Sequence, residues 1–135
     1  MPEIFADSFY WIALANPTDA SHRTALGFSQ TSLASVLVTT DEVLIEFLNY
    51  FSAAGERKRR VVGIMVEETM DNSSIIVLPQ THDSLLSGIA LYKARGDKAY
   101  SLTECVSMNT MRERNITEVL THDQHFAQEG FTVLF

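Results

Sequence analysis

Short apolar runs alternate along the whole chain with longer stretches whose apolar residues recur at helical spacing. Ser35-Val36-Leu37-Val38-Thr39 and Ser74-Ile75-Ile76-Val77-Leu78 are apolar throughout their centres, the pattern of strands buried on both faces of a parallel sheet. Pro79 closes the second run, because proline cannot extend a ladder from a central strand. Further strands are predicted at about 3–6, 118–121 and 131–134. From Asp41 to Ala54, Val43, Leu44, Phe47, Leu48 and Phe51 fall on one helical stripe, with Thr40 as N-cap and Gly55 as stop. Similar patterns predict helices at about 8–15, 18–29, 57–70, 82–94, 102–114 and 124–129. Gly96 ends one of these, and Gly130-Phe131 turns the chain into the last strand. Strands alternating with helices define an α/β protein, here a three-layer α/β/α structure around a central, mostly parallel five-stranded sheet. No linker breaks the alternation, so residues 1–135 read as a single domain.

Composition narrows the class. Hydrophobic residues make up 46% and charged residues 20% of the 135 positions, enough to bury a core and too apolar for a disordered chain. The lone cysteine, Cys105, has no internal disulfide partner and points to a reducing, cytoplasmic setting; beside Val106 and Met108 it reads as a small buried side chain. No apolar run approaches the roughly 18 residues of a membrane span. Asp7 interrupts the N-terminal run, which also lacks the basic flank of a signal peptide. A net charge of −7 argues against a broadly basic nucleic-acid surface. One local patch, Arg57, Lys58, Arg59 and Arg60, reads as a solvated helix face, with a phosphate-contacting edge as its alternative.

The chemistry-bearing residues are acids. Asp7 follows Ile4-Phe5-Ala6, and Asp123 follows Glu118-Val119-Leu120-Thr121, so each stands just past a predicted strand. In an open α/β sheet, ligands collect outside the carboxyl ends of the strands. Helix capping is the structural alternative for both, although Ser8 can cap by itself and leave Asp7 free. Glu46 lies in the helical stripe between Ile45 and Phe47, where an ordinary polar face explains it equally well. Glu104 fits a capping box with Ser101, the role its spacing favours; Asp97 reads as a loop acid, with the crevice as its alternative. Gathered carboxylates repel one another unless a divalent cation neutralises them, which points to metal-dependent phosphoryl chemistry. His122 and His125 flank Asp123, but no cysteine or third histidine completes a zinc set, so carboxylate-bound Mg2+ or Mn2+ is favoured.

In order along the chain, Phe5-Ala6-Asp7-Ser8-Phe9, Asp19-Ala20-Ser21-His22, Thr39 to Glu46, Asp97 to Ser107 and Thr121-His122-Asp123-Gln124-His125-Phe126 followed by Gly130-Phe131 resemble the PIN-domain ribonucleases. That family includes the toxins of bacterial toxin–antitoxin pairs similar to virulence-associated protein C. The resemblance implies a five-stranded parallel sheet and hydrolysis of RNA to a 5′-phosphate and a 3′-hydroxyl. It implies Mg2+ or Mn2+ held by Asp7, Glu46, Glu104 and Asp123, with Ser8 and Thr121 orienting water or phosphate and Asp97 in support. An antitoxin partner and a homodimer are further implications, and Arg57 to Arg60, Arg95 and Lys98 are the candidate phosphate contacts. One departure stands out: Glu104 occupies a position where the family ordinarily has Asp, and its extra methylene bears on whether the site still cuts.

Two rivals compete with this reading. A phospho-accepting receiver domain needs an Asp at the end of its middle strand, where the chain has Leu78-Pro79-Gln80, and a late Lys after a strand. A catalytically degenerate PIN-like module, binding RNA or a protein, keeps the fold and discards the chemistry. The aromatic group Phe9-Tyr10-Trp11 and the C-terminal Val133-Leu134-Phe135 read as core rather than as partner contacts.

Overall fold

A computed structural model describes residues 2–31 and 35–135. Five strands, β1 (Glu3–Ala6), β2 (Val36–Thr40), β3 (Ile75–Leu78), β4 (Glu118–Leu120) and β5 (Thr132–Val133), form one sheet in the order β3-β2-β1-β4-β5. Every pairing is parallel. The helices among the described residues are α1 (Ser8–Ala15), α2 (His22–Thr31), α3 (Asp41–Tyr50), α4 (Glu56–Asp71), α5 (His82–Ala94), α6 (Leu102–Glu113) and α7 (His125–Gln128). Strands and helices alternate as the hydrophobic pattern requires, giving the α/β/α architecture.

Strand order corrects one expectation. Residues 75–78 form the edge strand β3, half-buried throughout, not a central strand covered on both faces. The centre belongs to β1, where Phe5 and Ala6 are fully buried. The middle strand ends at Ala6 rather than at Leu78, and an Asp does follow it. Topology separates the two folds instead, since the receiver order 2-1-3-4-5 differs from the 3-2-1-4-5 found here.

The order reverses between β1 and β4, so the crevice of an open sheet opens between their carboxyl ends. Register finishes the placement. Ala6 pairs with Leu120, which sets Asp7 beside Thr121, and the Asp7 amide donates to the Leu120 carbonyl at 3.3 Å. Beneath lies the core, built on Phe5, Tyr10, Phe47, Met108, Met111 and Phe126. Trp11 and Cys105 are buried in it, and Val133, Leu134 and Phe135 pack against it.

Helix ends explain the remaining boundary differences. Asn16 and Asp19 hold a turn through their side chains, so α2 starts at His22 rather than near 18. Helix α3 ends at Tyr50 and turns through residues 51–54; Gly55, at φ 96°, begins α4 instead of stopping α3. Two Schellman motifs then steer the chain back to the sheet. Asn115, at φ 58°, follows α6, and the Ile116 amide donates to the Met111 carbonyl at 2.8 Å. Gly130, at φ 91°, follows α7, and the Phe131 amide donates to the Phe126 carbonyl at 3.1 Å.

Candidate active site

Asp7 stands at the N-cap position of α1, yet its side chain makes no capping bond. Oδ2 accepts instead from the Thr121 hydroxyl at 2.8 Å, while Oδ1 is buried with no hydrogen-bond partner. The residue is 5% exposed, and a buried carboxylate short of donors is costly. Burial accordingly pushes its pKa up to about 7, against the Thr121 hydrogen bond and the nearby Ser8 amide, with the charges of Glu46 and Glu104 adding to the rise.

Ser8 does not cap α1 either: its hydroxyl donates to Glu46 Oε1 and draws α3 toward the crevice. Glu46 is half-buried, on the side of α3 that faces the carboxyl end of β1 rather than out in solvent. Across the sheet, the Asp123 amide donates to Thr121 Oγ1 at 3.1 Å, and Asp123 Oδ1 accepts from the His125 amide at 2.9 Å. Asp123 thus holds the start of α7. Thr121 is fully buried and links the two strand-end acids by bonding both residues.

Glu104 performs the capping role its spacing favours. Oε1 accepts from the Ser101 amide at 3.1 Å, and Ser101 Oγ accepts from the Glu104 amide at 3.0 Å. The extra methylene of glutamate lets the same side chain reach inward, where Oε2 meets His125 Nδ1 at 2.7 Å. Burial raises its pKa, with the neighbouring Asp123 carboxylate adding to the effect. Glu104, Asp123 and His125 bring one ligand atom each within 4.8 Å of one another. The four acids therefore form two linked groups, Asp7 with Glu46 through Ser8, and Glu104 with Asp123 through His125, joined by Thr121.

Other expected residues fall elsewhere. Asp97 is 79% exposed and loosely paired with Lys98 at 4.0 Å, on the solvent side of the loop before α6. Arg95 is taken up by Glu129, with its Nε 2.9 Å from Oε2, and so is not a free phosphate contact. Within the basic run on α4, Lys58 Nζ donates to the Ala15 carbonyl at 2.5 Å and Arg59 to the Ser52 carbonyl at 2.8 Å. Arg57 and Arg60 are exposed. Since a helix rises about 1.5 Å per residue, the Lys58 contact lies about 10 Å along α1 from Ser8. His122 is outside the acidic group, stacked on Phe9 at 5.1 Å.

The tertiary structure adds two residues that sequence patterns did not single out, Glu129 and Tyr100, and gives His125 a place among the acids. Glu129, its side chain 7% exposed, accepts from Arg95, from Arg112 at 2.7 Å and from the Tyr100 hydroxyl at 2.9 Å. Tyr100 in turn packs its ring 5.1 Å from that of His125. The Asp-x-His spacing at 123–125 is the one sequence signal for His125, since it places both residues on a single turn. Glu129 has no such signal, because its partners lie 34, 17 and 29 residues away.

A central parallel sheet of order 3-2-1-4-5 with acids at its switch point is the PIN-like fold. Among solved structures, VapC20 of Mycobacterium tuberculosis, described as a sarcin–ricin loop cleaving toxin, superposes with a TM-score of 0.84 at 24% identity, over 97% of this chain and 98% of its own. FitAcB of Neisseria gonorrhoeae matches with a TM-score of 0.64 at 16% identity, over 98% of this chain and 96% of that one. No protein-family model matches the sequence, and no curated protein does.

Proposed function

We propose that the protein is a divalent-metal-dependent endoribonuclease of the PIN-domain family, acting as the toxin of a toxin–antitoxin pair, with residues 1–135 as one domain. The observation that carries this reading is the Asp7 carboxylate, buried at the topological switch point with one oxygen unpartnered and other carboxylates close enough to raise its pKa. Such a group is stable as an anion only beside a positive charge, and the donor set of carboxylate oxygens fits Mg2+ or Mn2+. Asp7, Glu46, Glu104 and Asp123 would hold the metal. A bound divalent ion lowers the pKa of water and polarises the phosphoryl group, which is the chemistry a phosphodiester needs.

The chain's own residues supply position. Thr121 orients Asp7 with its hydroxyl and Asp123 through its amide, while Ser8 holds Glu46 in line. Exposed Arg57 and Arg60 would meet phosphates of a strand running out of the crevice, beyond the reach of the acids' repulsion. Cleavage would leave a 5′-phosphate and a 3′-hydroxyl. Likeness to a structure described as a sarcin–ricin loop cleaving toxin supports RNA as the substrate class and an antitoxin as a partner. The exposed apolar residues Leu85, Leu86, Ile89 and Tyr92 on α5 support a homodimer or an antitoxin contact. Among the described residues no helix is long and apolar enough to cross a membrane. A cytoplasmic site of action belongs to the same proposal.

One observation favours the second reading, a PIN-like module that binds RNA or protein without cutting: both oxygens of Glu104 already have partners. Incubation of single-stranded RNA with the protein across Mg2+ and Mn2+ concentrations separates the two. The enzyme reading expects cleavage that chelation abolishes and that Asp7→Asn lowers by at least about 100-fold. RNA left intact at every metal concentration, by a folded protein, selects the binding module.

A further inference from the structure

We propose that His125 is a metal ligand, its Nδ1 combining with Glu104 Oε2 and Asp123 Oδ1 into a mixed nitrogen–oxygen site that takes a first-row transition ion in preference to Mg2+. This deepens the nuclease reading and rests on it. Geometry is the first support. Nδ1 lies 2.7 Å from Glu104 Oε2 and 3.3 Å from Asp123 Oδ1. Two ligands at right angles on an ion with bonds of about 2.1 Å stand about 3.0 Å apart. These two separations bracket that octahedral edge, and one ligand atom from each of the three residues lies within 4.8 Å of the others. An independent observation points to the same crevice: Asp7 Oδ1, buried and without a partner, belongs to a carboxylate that feels the charge of Glu104.

The imidazole is also held in place. Its ring packs against Tyr100 with centroids 5.1 Å apart at 55°. The Tyr100 hydroxyl donates to Glu129 Oε2 at 2.9 Å, and Arg95 and Arg112 also donate to the Glu129 carboxylate. From the backbone, the His125 amide bonds Asp123 Oδ1. A ligand fixed in this way loses little freedom on binding. At Nδ1 the lone pair either carries a proton donated to Glu104 or binds an ion, the ring proton then sitting on Nε2. Mg2+ strongly prefers oxygen ligands, whereas imidazole nitrogen suits the later transition ions. The length of Glu104 is part of the same device: its carboxylate meets His125 while still closing the capping box with Ser101.

The test uses the intact protein loaded with Mn2+ and pulsed electron paramagnetic resonance, which detects nitrogen bound directly to the ion. The wild type should show that coupling, and His125→Gln and His125→Phe should lack it. By calorimetry, either variant should lower Mn2+ affinity by about tenfold or more while changing Mg2+ affinity much less. Bound Mn2+ with no nitrogen coupling in the wild type overturns the proposal and leaves the nuclease reading standing. An equal loss of both ions in the variants also overturns it, since His125 would then act only by positioning Glu104. Failure of the wild type to bind Mn2+ at all overturns both. The wild-type spectrum decides even where a variant does not fold.

Discussion

Two largely buried glutamates, one at each end of a short chain of contacts, have opposite surroundings. Glu129 is surrounded by donors, two guanidinium groups and a phenol, and its pKa is held down at about 2, first by the Arg95 hydrogen bond. Glu104 shares its surroundings with Asp123, and burial pushes its pKa up. Tyr100 and His125 connect the two, so the contrast arises within one continuous cluster. Glu129 has its positive charge built into the protein and serves as a structural clamp. Glu104 has no arginine or lysine bonded to it among the described residues, and on the proposed reading a cation from solution would supply that charge. Buried charge is tolerated when paired, and the source of the pairing charge separates scaffold from site.

The same substitution at both positions gives the largest expected contrast. Glu129→Gln should destabilise the fold by about 2–3 kcal/mol, less than a fully buried pair because both arginines are partly exposed. Glu104→Gln keeps a side chain able to close the capping box and should cost under about 1 kcal/mol. Metal affinity should move the other way, falling by more than about tenfold in Glu104→Gln. Denaturant unfolding and Mn2+ titration of both variants check this; equal stability losses would remove the distinction.

Dependence on pH sharpens the comparison further. Glu129 has a folded pKa of about 2 against an ordinary 4.5, so its contribution is present above about 4.5 and is lost as pH falls toward 2. Asp7 has the opposite sign: its folded pKa of about 7 stands above the ordinary 3.8, so the metal-free protein loses stability as pH rises from about 4 through 7. These two groups together place maximum metal-free stability near pH 4–5. Thermal unfolding in chelator should show that peak, Asp7→Asn should flatten its neutral side, and Mn2+ should restore stability at pH 8. A metal-free protein most stable at pH 8 would contradict the placement of Asp7 as an uncompensated buried acid.

The smallest effect concerns the cap. Ser101→Ala removes the hydroxyl that accepts the Glu104 amide and should cost about 1 kcal/mol, while the Ser101 amide still holds Glu104 Oε1. Stability should therefore drop with little change in Mn2+ affinity. A large loss of affinity would show that the cap, not His125, fixes Glu104.

Much of this architecture was legible from local pattern. The apolar runs mark strands, Thr40 caps α3, and Ser101 and Glu104 close the box at the spacing that chemistry requires. Asp7 and Asp123 were legible as strand-end acids because a strand's end is a local event. Burial on both faces was misread for residues 75–78, since an edge strand packed against α4 has the same apolar composition as a central one. The pairing of Arg95 with Glu129 was not legible, because that partner lies 34 residues away.

By itself, then, the sequence determines the alternation of strands and helices, the helix caps and the acids at the strand ends, all of which depend on neighbours within a few residues. Tertiary structure alone decides that β1 is central, that Ala6 meets Leu120 and so joins Asp7 to Thr121, and that His125 closes on Glu104. It also decides which acids are paired. A side chain's charge is written in its type, but its free energy depends on which distant groups the fold brings against it and on how much water the fold removes.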